Sequence, residues 1–122
     1  MNKDVKQLWI EALESGNYNQ GRNKLRQGDS YCCLGVLCKL AVKAGVTVEA
    51  KNTKLHLRTS IYNYSGENEE LPWEVIEWAG LEDANPCINK EYFLDRQELT
   101  LAELNDGGRS FIEIAAIIRE NL

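Results

Sequence analysis

The chain has 122 residues, 43% hydrophobic and 8% aromatic, which fits one folded domain with its own core and excludes a disordered segment. Lys plus Arg is 14 and Asp plus Glu is 19, so the net charge is 14 − 19 = −5; such a field repels phosphate backbones, and nucleic acid is not the expected partner. No apolar run reaches the ~20 residues that span a bilayer, and Met1-Asn2-Lys3-Asp4 leads straight into an amphipathic pattern instead of a signal-peptide core. The expectation is a cytoplasmic protein with reduced thiols and no membrane partner.

Asp4 reads as an N-cap, and Val5, Leu8, Trp9, Ala12 and Leu13 recur at helical spacing, which predicts a first helix ended by Ser15-Gly16. From Asn17 to Ser30 the chain is polar and glycine-bearing, a loop from which Leu25 dips into the core. Tyr31 to Ala44 reads as a helix apolar on most of its circumference, with Gly45 as its stop, and such a helix belongs at the centre of the fold. Gly35 within it admits a close backbone neighbour, at ~1 kcal/mol of helix propensity relative to Ala.

Val46 and Val48 then alternate with polar residues, Ala50 to Thr53 reads as a turn, and Leu55, Leu57, Thr59 and Ile61 alternate with His56, Arg58, Ser60 and Tyr62. That pattern predicts a β-hairpin with Ile61 inward and Arg58 and Tyr62 outward, packed on the helices because two strands alone are marginal. Tyr64 to Glu70 is an acidic loop, and Pro72 opens a short helix through Trp73, Ile76 and Ala79 to Gly80. Leu81 to Asp95 reads as irregular, with an Asn85-Pro86 turn and a short strand at Tyr92-Phe93-Leu94. Thr100-x-x-Glu103 and Ser110-x-x-Glu113 are capping boxes that announce two closing helices, separated by Gly107-Gly108. The expected fold is a small α+β single domain over 1–122, helix-dominated, with a β-hairpin packed on a buried central helix.

The densest chemistry is Tyr31-Cys32-Cys33-Leu34-Gly35-Val36-Leu37-Cys38. With Cys87 and His56 it offers zinc-type donors, but adjacent helical cysteines point about 100° apart and do not form the Cys-x₂₋₄-Cys knuckle that aims two thiolates at one ion. An apolar helix also lacks the partly exposed, thiolate-stabilising setting of a nucleophile. The cysteines are therefore assigned to the core, with no metal, no cofactor and no enzymatic activity expected, and a thiol or metal enzyme is the third alternative. No phosphate loop, dinucleotide glycine pattern or nucleophile elbow is present. The last helix carries two glutamates and one arginine on its outer face, which suits it poorly to a DNA major groove. Gly107-Gly108-Arg109 joins a cation to a helix N-terminus; it reads either as an anion seat or as an ordinary corner between helices.

Four blocks carry a resemblance. They are Leu8-Trp9-Ile10-Glu11-Ala12-Leu13-Glu14-Ser15-Gly16-Asn17-Tyr18-Asn19-Gln20, the Tyr31–Cys38 cysteine block, Leu71-Pro72-Trp73-Glu74-Val75-Ile76, and Leu104-Asn105-Asp106-Gly107-Gly108-Arg109-Ser110-Phe111. In these the chain resembles a family of small proteins encoded by bacteriophages and prophages. The resemblance implies a phage accessory protein acting in the host bacterial cytoplasm, and it brings no active site with it. Counter-defence is a frequent task for small phage proteins, which gives two expectations by analogy. The first is a non-enzymatic protein that sequesters a small nucleotide immune signal, using cations and stacking faces drawn from Arg58, Tyr62, Tyr64, Trp73 and Arg109. The alternative is an inhibitor of a host defence protein, acting through an acidic surface at Glu67–Glu70 with Glu82 and Asp83. A homo-oligomer is open in either case.

Overall fold

A computed structural model describes residues 1–56, 59–88 and 98–122. The elements in order are α1 (Lys3–Glu14), β1 (Asn19–Gln20), β2 (Arg26–Gln27), β3 (Ser30–Tyr31), α2 (Cys33–Lys43), β4 (Ala50–His56), β5 (Thr59–Tyr64), α3 (Trp73–Ala79), β6 (Cys87–Ile88), β7 (Leu99–Thr100), α4 (Leu101–Asp106) and α5 (Phe111–Asn121). The fold is α+β, as the sequence predicts.

α2 is the centre. Cys33, Leu34, Gly35, Val36, Leu37, Cys38 and Ala41 are all buried along it, so helices pack on it from several sides. Gly35 has the close neighbour its position implied: a Cβ there would land on the carbonyl of Leu25, which accepts a hydrogen bond from Cys32 N at 3.2 Å. Leu25 is fully buried beneath this contact.

α1 starts one turn-fraction earlier than its sequence suggests. Asn2, not Asp4, is the N-cap; its Oδ1 accepts from Asp4 N at 2.9 Å and Val5 N at 3.0 Å. The buried face is Val5, Trp9, Ile10 and Leu13, while Leu8 is exposed. The helix is rotated toward Ile10 because it packs between α2 and α5, with Trp9 Nε1 donating to Cys33 O at 2.9 Å.

The strands depart most from expectation. Five form a sheet in the order β1-β3-β2-β5-β4, with β1 and β3 parallel and the other pairs antiparallel. The loop after α1 thus contributes three two-residue strands. Val46 and Val48 are not in the sheet: Val46 N closes the end of α2 on Ala41 O at 3.0 Å, and both side chains lie half-buried against the core. The expected turn at Ala50–Thr53 is instead the start of β4, paired with β5 from Ala50↔Tyr64 to His56↔Thr59, with a bulge between Lys54 and His56. The phase of β5 is also reversed. Tyr64 is buried and Tyr62 packs against the core, so their shared face, not that of Ile61, turns inward.

α3 is capped by Pro72 in an extended conformation and ends at Gly80, whose φ of 66° is left-handed. Both capping boxes form: Thr100 with Glu103, and Ser110 with Glu113. β6 and β7 pair antiparallel, a short ladder that the sequence pattern does not announce. The expected strand at 92–94 lies outside the described residues.

Candidate functional site

The resemblance blocks converge, but on architecture. Asn105, at the end of α4, is fully buried, and its side chain is saturated. Its Oδ1 accepts from Cys33 N at 3.2 Å and from Gln20 Nε2 at 2.9 Å; its Nδ2 donates to Gly21 O at 2.8 Å and Asp106 Oδ1 at 3.2 Å. Trp9 bonds the carbonyl of the same Cys33. The tryptophan, cysteine and asparagine blocks therefore meet at one knot that fixes the 17–30 segment against the start of α2. A buried amide with every polar atom paired specifies a fold and leaves nothing for a substrate.

The thiols agree with a structural role. Cys32, Cys33 and Cys38 are buried and free, and only Cys87 is exposed. Burial pushes the Cys32 thiol up to about 11, and it pushes Cys33 and Cys38 well above their ordinary value. Such thiols stay protonated near neutrality and are poor nucleophiles. Cys32 instead caps α2, its Sγ accepting from Gly35 N at 3.4 Å. Among the described residues no group of three His, Cys, Asp or Glu is placed to hold a metal ion.

The five expected ligand residues are distributed. Arg58 lies outside the described residues, and so does the side chain of His56. Tyr64 is buried, and desolvation raises its hydroxyl to about 12, against a hydrogen bond from Arg26 that lowers it. Tyr62 shares the face of Tyr64 and carries Arg26, whose guanidinium is 3.8 Å from its ring centroid and 5.0 Å from that of Tyr31. Arg26 is thus a cation set between two aromatic rings, 18% exposed, with its Nε donating to Gly28 O at 2.8 Å and its nearest carboxylate, Asp29, at 3.9 Å. Arg109 is half-exposed and spends its guanidinium on Glu113 at 3.3 Å, while the capping box takes the start of α5. Its carbonyl accepts from Gln20. Among the described residues no hydrogen bond or ion pair joins Arg109 to Tyr62, Tyr64 or Trp73.

Trp73 stands in different company. It is 66% exposed at the start of α3. With Glu74, Glu77 and Trp78 it makes a face at i, i+1, i+4 and i+5, because Val75 and Ala79 turn inward. These four, with Val46 and Thr47, line an open groove of about 530 Å³. Glu74 Oε2 is shut off from solvent and has no hydrogen-bond partner among the described residues. From Ser65 to Ile88 the chain carries Glu67, Glu69, Glu70, Glu74, Glu77, Glu82 and Asp83 and no lysine or arginine.

Acidic residues singled out from sequence line two other clefts. Glu69 and Glu70 line one of about 240 Å³ with Asn23, Asn85 and Asp106, and Glu69 is paired to Lys24 at 2.8 Å. Glu82 and Asp83 line another of about 270 Å³ with Met1 and Leu122. Glu74, Glu77, Trp78 and Arg26 were not anticipated as site residues. The helical spacing of the first three with Trp73 was a readable signal. Arg26 had none, because its partners come from other strands.

Over residues 1–122 the chain matches the family described as Domain of unknown function (DUF8296), and it belongs to that family. No curated protein and no solved structure matches it.

Proposed function

We propose that this chain is a phage-encoded, non-enzymatic binding protein that blunts host antiviral defence in the bacterial cytoplasm by engaging a host protein through the acidic face around α3. One observation carries the choice of a protein partner: a large aromatic, Trp73, is exposed within a stretch of seven acids and no base. An exposed tryptophan in an apolar groove with a charged rim is the anatomy of an interface anchor. The raised thiols support binding over catalysis, since they supply no thiolate near neutral pH.

Sequestration of a small nucleotide signal is the second reading, and Arg26 favours it. A guanidinium held against Tyr62 and Tyr31 joins positive charge to stacking faces, the two things a nucleotide needs. The carboxylates beside Trp73 disfavour a phosphate on the α3 face.

The test is to purify the tagged chain from phage-infected, defence-active bacteria. The eluate is divided, one half resolved for proteins and the other heated to release small molecules. A stoichiometric host protein that is lost with Glu77→Lys supports the leading reading. A released nucleotide that is lost with Arg26→Lys supports the second. Recovery of neither overturns both.

A further inference from the structure

We propose that the Trp73–Trp78 groove is a receptor for an arginine side chain, presented by a basic segment of the partner protein. The inference rests on the protein-partner reading above and names the chemistry the partner must bring.

The groove pairs two tryptophans with two acids, Glu74 and Glu77. Glu74 Oε2 is withdrawn from water yet accepts no hydrogen bond among the described residues. That oxygen is not open to a ligand; what Glu74 brings to the groove it lines is a negative charge beside the two tryptophans. Glu77 sits one turn along the same face and adds a second negative charge. Trp73 and Trp78 both line the groove, and an indole face attracts cations through its quadrupole. Val46 adds apolar surface for an alkyl stem.

Of the basic side chains, arginine fits all three features together. Its guanidinium is planar, weakly hydrated and able to stack on an indole while its edge donates to a carboxylate. Lysine offers a strongly hydrated point charge that does not stack. A phosphate or a carboxylate ligand meets only repulsion from Glu74 and Glu77. The flanking sequence reinforces the choice: from Ser65 to Ile88 it adds five further acids and no lysine or arginine.

The probe is an acetylated, amidated arginine–glycine repeat peptide, titrated into the full chain by calorimetry at physiological salt, beside a lysine–glycine peptide of equal length. The arginine peptide should bind more tightly than the lysine peptide. Trp73→Ala and Glu74→Gln should each weaken it by about tenfold, the size expected for losing a stacked, charge-assisted contact. Glu11→Gln, which removes the same charge from the exposed side of α1, should change affinity less than about twofold, as a screened charge outside the groove's lining does. Equal loss in all three variants, equal affinity for both peptides, or no binding of the arginine peptide would overturn the inference. So would concentration-dependent self-association of the chain that Trp73→Ala abolishes, which would assign the groove to a second copy. A host partner that still co-purifies with the Trp73→Ala chain would sink this inference while leaving the protein-partner reading intact.

Discussion

Replacing Asn105 by leucine tests whether the most distinctive blocks of the sequence are architecture. The side chain is fully buried and holds four hydrogen bonds. Leucine keeps the approximate volume and removes every donor and acceptor. Cys33 N–H, at the first position of α2, loses the one partner it has among the described residues, and Gly21 C=O loses its amide donor. Gln20 keeps its second bond, to Arg109 O at 2.7 Å, and loses less. Two stranded backbone groups at ~1–3 kcal/mol each give a destabilisation of about 2–6 kcal/mol, a large part of the ~5–15 kcal/mol that holds a domain of this size. Urea denaturation followed by far-ultraviolet circular dichroism measures it as a lower midpoint at unchanged slope. Asn105→Asp sharpens the test. It keeps the acceptor, loses the donor and sets a buried charge beside Asp106, so its deficit should shrink as pH falls and the new carboxyl is protonated. A loss under about 1 kcal/mol for Asn105→Leu, or a loss of partner binding at full stability, would refute the architectural role.

Other consequences follow from the same structure. Gly35→Ala gains ~1 kcal/mol of helix propensity but drives a methyl into the Leu25 carbonyl, so the net result in the same denaturation assay should be a loss of about 1–3 kcal/mol. Thiol labelling of the native protein should modify Cys87 quickly, and Cys32, Cys33 and Cys38 only on unfolding; prompt labelling of all four would contradict the buried core. The Cys32 thiol rises from 9.0 in the unfolded chain to about 11 in the folded one, so its contribution is whole below pH 9.0 and is lost as pH climbs through about 11. That share is about 3 kcal/mol, with Cys33 and Cys38 acting in the same direction, and Cys32→Ser should flatten the alkaline limb of a stability-versus-pH curve. Arg109→Ala should shift thermal stability by no more than the ~0–1 kcal/mol of an exposed ion pair.

Local signals were legible in the sequence where they were self-contained. Both capping boxes, the Gly80 stop, the all-round apolar α2 and the inward Leu25 need only neighbours a few residues away, and each formed as read. The hairpin was legible as an element but not in its placement. β4 begins Ala50-Lys51-Asn52-Thr53, a stretch with little strand propensity, and it is held by pairing with β5 instead. Val46 and Val48 look like a strand because they are β-branched, yet Val46 closes α2 and both lie against the core. Tyr62 and Tyr64 turn inward where β2 and β3 pack alongside and Arg26 sits against the rings of Tyr62 and Tyr31, a three-strand arrangement that no single segment encodes. The candidate groove was half-visible. Trp73 stood out as an aromatic, but grouping it with Arg109 followed charge logic across the chain, whereas the helix grouped it with Glu74, Glu77 and Trp78.

The most direct measurement of the central claim is the plating efficiency of a defence-sensitive phage on bacteria that carry an active antiviral system and express this chain. The account predicts that the wild-type chain restores plating, that Trp73→Ala and Glu74→Gln chains expressed to the same level do not, and that the Arg109→Ala chain does. Failure of the wild type to restore plating against any defence system tried, or restoration that Trp73→Ala and Glu74→Gln leave untouched, would contradict it.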